Sequence, residues 1–348
     1  MNTADMTNKE MSPSEAEAWN RVVASCDHSK FYHLYQWGTL LKQVHGHDLV
    51  YLQEDRSVFP LACVKSSIFG KRLISLPFAD YGGPCAQDKN TAKKLVLQCQ
   101  EAAQALDVDF IEIRSPDSQY FDSLEEHGFV RRDDYFTFVM RLDRRIEEIW
   151  KGIGDKTRNR VRKAEKSGVQ IVEATNKSDL KVFYLLYQKT MKRLGSPPQP
   201  YRFFEGIWDS FYPDNMIMPL ARYDGKYIAG GLSFLHGNVM HAAYGASNEE
   251  YNKLAANVLI EWYSMERGHE KGCQYLDLGR TRENEGTVQF KKRWGGDLVK
   301  MPYFYKFYKK TLDERQEVRY KWASRLWSRY MPRPLANWIG PLIIRQIG

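Results

Sequence analysis

The sequence predicts an α+β protein with two related domains, each a mixed, mostly antiparallel sheet flanked by helices. The order of elements is the first reason. Strand-like and helix-like segments mix within each half, which suits a largely antiparallel sheet with helices on its faces. An internal echo is the second. Phe110-Ile111-Glu112-Ile113 lines up with Tyr275-Leu276-Asp277-Leu278; at nearly the same spacing, Gly128 lines up with Gly295 and Phe136 with Tyr303. Both halves thus run strand, short helix, glycine, aromatic strand, at a spacing too long for a solenoid. Length is the third: 348 residues suit two domains of roughly 100–200 residues each. The expected division is residues 1–145, residues 146–310, and a basic, aromatic tail over residues 311–348.

Residues 1–11 read as a polar leader without the apolar run of a secretory signal. Ser12 caps a helix with Pro13 at its first position and Glu15 placed to complete a capping box, running to about Ala24. A strand-rich region follows. Asp48 to Glu54 and Val58 to Lys65 form a hairpin bounded by charged turn residues. Leu73 to Leu76 leads into Pro77-Phe78-Ala79-Asp80-Tyr81-Gly82-Gly83-Pro84, a loop whose glycines permit positive φ. Thr91 to Leu106 keeps its apolar residues on one stripe and is helical. Phe110 to Arg114 is a strand, Ser123 to His127 a short helix stopped by Gly128, and Tyr135 to Leu142 another strand.

The second half begins with a basic helical stretch, Ile146 to Ser167, ending at Gly168. Val169 to Ala174 is a strand. Leu180 to Leu194 is a helix closed by Gly195 and a proline-rich segment, and Phe203 to Tyr212 is another. Met218 to Tyr223, Lys226 to His236 and Asn238 to Gly245 form a meander, with turns at Asp224-Gly225 and Gly237-Asn238. Ala255 to Gly268 is a long helix, Tyr275 to Leu278 a strand, Thr287 to Arg293 a short helix, and Pro302 to Tyr308 the last strand.

Composition narrows the class. The 43% hydrophobic and 27% charged fractions exclude a disordered, collagen-like or disulfide-stapled chain. No run approaches the ~18 apolar residues that a spanning helix needs. The cysteines (Cys26, Cys63, Cys85, Cys99, Cys273) are odd in number and include no C-x-x-C, so the reducing cytoplasm is the expected compartment. A net charge of +8 suggests an anionic partner: phosphate, nucleic acid or an anionic membrane face. G-x-S-x-G, H-E-x-x-H and G-x-x-x-x-G-K-[ST] are all missing. His45 and His47 have no third ligand beside them, and Gly46 between them suggests a turn, so no metal site is expected. Cys63 and Cys273 lie in or beside apolar strands and are expected to pack.

Three segments could carry chemistry. Lys156 to Lys166 holds six cations and one anion. On a helix, Arg158 and Arg162 share one face, and Lys156, Arg160 and Lys163 another, a surface suited to phosphate oxygens. Thr281 to Gly296 follows a strand ending in Asp277-Leu278-Gly279-Arg280 and carries Lys291 and Lys292, which could hold a phosphate or stabilise charge developing on an acyl oxygen. Val318 to Gly348 has six cations, no Asp or Glu, and interleaved Trp and Tyr, a pattern suited to a membrane interface or to a docked helix.

Together these segments resemble the FemAB family of tRNA-dependent peptidyltransferases, over about residues 30–310. The likeness rests on Tyr35-Gln36-Trp37-Gly38, the LPFADYGGP loop, the helix KTRNRVRKAEKSGV, the strand and loop LDLGRTRENEG, and the closing FKKRWGG. The end RPLANWIGPLIIRQIG is similar to a FemAB-like subgroup found beside exopolysaccharide and exosortase genes. The resemblance implies two tandem GNAT-like domains and an enzyme, cytoplasmic or peripheral to the inner membrane face, that moves an acyl or aminoacyl group to an amine of a cell-envelope precursor. It implies no resident cofactor, no DNA partner, and a co-substrate that is aminoacyl-tRNA or acyl-CoA. Carried over, Lys291 lies near the reacting carbonyl, and Asp277 takes a proton from the amine or orders Arg280. Arg158 and Arg162, with Arg280, Lys292, Trp37 and Tyr81, bind substrate or its phosphates. Acetyl-CoA enzymes of this fold carry [RQ]-x-x-G-x-[GA] before the helix that follows the hairpin. Here that stretch is Asn252-Lys253-Leu254-Ala255-Ala256-Asn257, with no glycine. The alternatives are an acyl-CoA-dependent acetyltransferase acting on an exopolysaccharide sugar and a non-catalytic RNA- or membrane-binding protein.

Overall fold

The computed structural model describes residues 10–67, 69–115, 118–283, 286–309, 331 and 333–347. In chain order the elements are α1 (Pro13–Ala24), α2 (Tyr35–His45), β1 (Asp48–Glu54), β2 (Ser57–Ser66), β3 (Gly70–Ile74), α3 (Lys89–Ala105), β4 (Phe110–Arg114), α4 (Phe121–Glu126), β5 (Val130–Arg132) and β6 (Phe136–Arg141). There follow α5 (Ile146–Gly152), α6 (Asp155–Lys166), β7 (Gln170–Glu173), α7 (Lys177–Leu194), α8 (Tyr201–Phe211), β8 (Met216–Ile217), β9 (Pro219–Tyr223), β10 (Lys226–His236) and β11 (Val239–Ser247). The last are α9 (Ala256–Glu270), β12 (Tyr275–Asp277), α10 (Thr287–Lys292), β13 (Asp297–Lys300), β14 (Tyr303–Phe307) and α11 (Arg333–Ile347).

The chain divides into two compact units. One comprises Met1–Tyr135, Lys300–Tyr320 and Leu342–Gly348; the other comprises Phe136–Val299 and Lys321–Pro341. The sequence reading placed the divisions at 145 and 310. Strand pairing moves them, because β6 hydrogen-bonds to β12 of the second sheet while β14 hydrogen-bonds to β4 and β5 of the first.

The first unit holds a six-stranded sheet in the order β1-β2-β3-β4-β14-β5, antiparallel except between β3 and β4. α1 starts as its sequence dictates: Ser12 N–H donates to Glu15 Oε2 at 2.8 Å, and Glu15 N–H donates to Ser12 Oγ at 3.3 Å. Trp19 and Val23, one turn apart, bury its inner face. α3 lays Leu95, Val96, Cys99 and Ala103 on a core with Phe59, Leu61, Ile111, Ile113 and Phe304. α2 is an element the sequence analysis did not assign. It ends at Gly46, which has φ of 71° and caps it in the left-handed conformation.

The second unit holds a sheet in the order β13-β6-β12-β11-β10-β9-β7, with β8 paired to β10. Its one parallel pair among the described strands is β11 with β12. α9 packs over β9, β10 and β11 and against α6, enclosing Met240, Leu259, Ile260, Trp262, Met265 and Leu276. The basic stretch read as one helix is two. Ile153, at φ −73° and ψ 135°, is extended, so α5 stops there and α6 starts at Asp155 on a new axis. The same break buries Ile153 at 1% exposure, and that apolar side chain explains why the chain turns in at this point. The short strands β5 and β13 were also absent from the sequence reading; both lie at sheet edges.

Residues 310–330 of the expected tail lie outside the described residues. At the end of the chain, Arg72 Nη2 donates to the carbonyls of Gln346 and Ile347, each at 2.8 Å, so the last turn of α11 is held by a buried arginine of β3. No helix among the described residues is long and apolar enough to cross a membrane.

Candidate active site

The site forms where β12 leaves β11. These strands pair in parallel at three positions only: Val239 with Tyr275, Met240 with Leu276, and His241 with Asp277. Beyond Asp277 the chain stays with β6 instead. Leu278 N–H donates to Phe138 O at 3.0 Å, and Phe136 and Thr281 exchange backbone hydrogen bonds. β11 meanwhile continues beside β10 to Ser247. The two strands therefore part, and the gap opens beside the second half of β11.

Asp277 sits at the point of parting and is 5% exposed. Its Oδ1 accepts from Thr137 Oγ1 at 2.6 Å and from Gly279 N–H at 2.8 Å, and its Oδ2 lies 3.4 Å from His241 Nδ1. A carboxylate so occupied shapes the turn that follows it, which Gly279 makes at φ 77°. The turn presents its carbonyls to Lys291. Lys291 Nζ donates to Gly279 O at 2.7 Å and to Arg280 O at 3.0 Å. α10 is fixed for this by Trp294, 1% exposed beyond its end, and by Gly295, which closes it at φ 84°. Asp277, Arg280 and Lys291 are thus one structure, although they are fourteen residues apart in the chain at most.

A cleft of about 290 Å³ lies at the start of α9, lined by Arg160, Arg193, Ser247, Asn248, Asn257 and Phe290 among others. No side chain caps α9 among the described residues, so its leading N–H groups face the cleft and favour an anion. Ala255 precedes them at φ 57°, left-handed backbone that glycine adopts more easily. The glycine missing from Asn252–Asn257 is therefore replaced by an alanine holding a glycine-like turn. Phe290 places the far wall of this cleft next to Lys291 in the chain.

The other expected residues lie elsewhere. Arg158 donates to the carbonyls of Trp150 (3.4 Å) and Lys151 (3.0 Å) and pairs with Asp155, closing the end of α5. Arg162 stands 5.5 Å over the Trp150 ring. Those two arginines serve the α5–α6 corner; Arg160, on the other face of the same helix, is the one that reaches the cleft. Lys292 is exposed. Trp37 and Tyr81 belong to the first unit. Trp37 is 0% exposed and edge-on to Tyr32 at 4.8 Å, so it is core. Tyr81 is 7% exposed, with Lys30 Nζ 5.8 Å from its ring centroid. The two residues sequence reasoning missed, Arg160 and Ala255, both had a signal: the second cationic face of α6, and a loop of the right length before a helix.

Comparison with known proteins bears on the fold and on the class of protein. Residues 155–292 match the model of the "Acetyltransferase (GNAT) domain" family. The chain is 22% identical over 261 residues to the UDP-N-acetylmuramoylpentapeptide-lysine N(6)-alanyltransferase of Weissella viridescens, covering 68% of this chain and 76% of that one. It is 22% identical over 228 residues to the lipid II:glycine glycyltransferase of Staphylococcus epidermidis, covering 46% of this chain and 55% of that one. Among solved structures, FemX superposes with a TM-score of 0.69 at 17% identity, over 91% of this chain and 99% of FemX. The resemblance to FemAB-type transferases read from the sequence is borne out, and so is the GNAT-like fold. The chain is an acyl- or aminoacyltransferase.

Proposed function

We propose that this chain transfers an aminoacyl group from an RNA-linked ester to an amine of a cell-envelope precursor, without a covalent enzyme intermediate. The observation that carries the reading is that Phe290, the residue before Lys291, lines the cationic cleft at the start of α9. Arg160 and the α9 N–H groups suit the phosphates of a donor. The reacting carbonyl then falls toward Lys291, whose ammonium opposes the negative charge that builds on the carbonyl oxygen as the amine attacks. Asp277 acts through the turn, by keeping Gly279 and Arg280 where Lys291 can be held. The relatives named above act on a muramoylpentapeptide lysine and on lipid II, which supports a peptide amine of such a precursor as acceptor.

One observation favours a second reading, acyl-CoA as donor and an exopolysaccharide sugar as acceptor: Ala255 gives the turn that a pyrophosphate cradle requires. A binding titration at fixed salt, aminoacyl-tRNA against acetyl-CoA, separates the two. The aminoacyl reading expects tRNA binding that Arg160→Glu weakens about tenfold or more and whose salt slope falls, with no saturable binding of acetyl-CoA. Saturable CoA binding with tRNA indifference reverses it. A place at the inner membrane face is part of the proposal, on the strength of the basic, aromatic composition of residues 318–348. Co-sedimentation with anionic liposomes that persists after truncation at Val318 would remove it.

A further inference from the structure

Glu261 is a carboxylate the reading above does not use. It lies in α9, on the face it shares with Val258, Met265 and Gly268, one and two turns away. That face rests on the strands of the site. A Cβ added at Gly268 would meet Met240 Sδ of β11 at 2.7 Å, and Leu142 Cδ1, next after β6, at 3.3 Å. Glu261 stands two turns nearer the start of α9, toward the end of β11 where β12 has already departed. Its Oε1 is enclosed and has no hydrogen-bond partner among the described residues. A buried carboxylate oxygen with nothing to accept from costs folding free energy of order 1–3 kcal/mol or more, so a retained one invites a functional account. The charge that acts on it is the ammonium of Lys291, on α10.

We propose that Glu261 is the proton acceptor for the attacking amine, working opposite Lys291 across the gap between β11 and β12. The inference rests on the aminoacyl-transfer reading and adds a residue to its machinery. The amine nitrogen attacks the ester carbonyl carbon and forms the C–N bond. Its proton passes to the open Oε1 of Glu261. The C–O ester bond then breaks, and the proton is delivered to the departing ribose oxygen, so the carboxylate is regenerated and the products are an amide and an alcohol. Lys291 holds the charge on the carbonyl oxygen throughout. Burial pushes the Glu261 carboxyl up to about 7, with Lys291 pulling the other way, so it can both take and return a proton near neutrality.

The test is the pH–rate profile of alanyl transfer from alanyl-tRNA to a lysine-containing muramoyl pentapeptide, for the native protein, Glu261→Gln and Glu261→Asp. Infrared difference titration of each protein runs beside it. The native rate should rise through one ionisation near pH 7. Glu261→Gln should lose about 10²–10⁴-fold in kcat together with that pH dependence, while tRNA binding holds and the unfolding temperature does not fall. Glu261→Asp should recover part of the rate with a displaced midpoint. The infrared titration needs no substrate: a protonated carboxyl band should disappear between about pH 6 and pH 8 in the native protein and be missing in Glu261→Gln. A Gln variant within about threefold of native with an unchanged profile overturns the proposal and leaves aminoacyl transfer standing. The absence of the band overturns it as well, even should the Gln variant fail to fold. A native protein that transfers nothing from alanyl-tRNA overturns the aminoacyl reading, and this proposal with it.

Discussion

The two units place a buried carboxylate at matching points of their one parallel strand pair and use it in opposite ways. Glu112 in β4 and Asp277 in β12 stand at the third position of the segments that echo each other in the sequence. Glu112 is 7% exposed and accepts from Arg114 Nε at 2.8 Å. Arg114 then donates to Ala79 O at 2.8 Å, and Gly82 N–H donates to Arg114 O at 2.8 Å, drawing the Pro77–Pro84 loop onto the strand ends. Gly82 is needed there, because a Cβ would lie 2.1 Å from Ser75 O. Ser75 N–H also donates to Glu112 O, so β3 and β4 keep pairing past their last ladder position. In the second unit Asp277 accepts from the Thr137 hydroxyl and the Gly279 amide, and the strands part. One copy is closed by an arginine and a glycine loop; the other is left open, with Lys291 over the opening. On the proposed reading, one half of a repeated fold serves stability and the other chemistry.

The sharpest way to break that contrast is Glu112→Ala. Leaving Arg114 buried and unpaired should lower stability by about 3–5 kcal/mol, read by urea unfolding, while the folded fraction still binds donor as the native protein does. Equal loss of donor binding per folded molecule would mean the first unit is more than a scaffold. Lys291→Ala should do the reverse. Transfer should fall about 10²–10³-fold, as when one donor to a developing oxyanion is removed, with a stability loss of only about 1–2 kcal/mol for two hydrogen bonds.

The units should also differ in how pH acts on them. Burial, with Arg72 and Arg345 adding to it, holds His47 of the first unit down at about 4. Its folded-state value lies below the ordinary 6.5, so its contribution is present above that value and fades as pH falls from 6.5 toward 4. Glu261 of the second unit is raised to about 7 from 4.5, so its contribution is present below 4.5 and fades as pH rises toward 7. Each is worth up to about 3 kcal/mol. Hydrogen exchange should show the first unit loosening at pH 4.5 and the second at pH 8; parallel loosening of both at one extreme would contradict the assignment. The smallest effect expected is from Ala255→Gly, which relieves left-handed strain and should stabilise by about 1 kcal/mol without loss of donor binding.

The sequence was most legible where local chemistry decides structure. The capping box at Ser12, the hairpin of β1 and β2, the meander of β9 to β11 and the long helix α9 follow from patterns of a few residues each. The linkage of Asp277, Arg280 and Lys291 was legible too, since a strand end, a turn and a short helix keep them within one segment. Trp37 was not, because an aromatic beside a glycine reads alike whether it faces a substrate or Tyr32. Arg158 and Arg160 could not be told apart either. Which face of α6 meets the cleft depends on the break at Ile153, and that break comes from burial against the rest of the unit. Glu261 gave no signal at all, since its isolation comes from what α9 rests upon and not from its neighbours in the chain.

The insertion of β14 between β4 and β5 bears on the order in which the molecule can be made. A ribosome delivers Asp48 through Arg132 early, yet the strand that joins β4 to β5 is among the later ones to emerge. Every residue of the β6-to-β13 sheet is synthesised before Tyr303 appears. The second unit can therefore complete its sheet while the first still waits with β4 and β5 unjoined, reversing the usual N-terminal-first order of maturation. During that interval β4 and β5 offer open edges, the exposure that chaperones cover. A nascent chain stalled before Tyr303 should be far more sensitive to protease in its first 135 residues than one stalled after the exit of Tyr308.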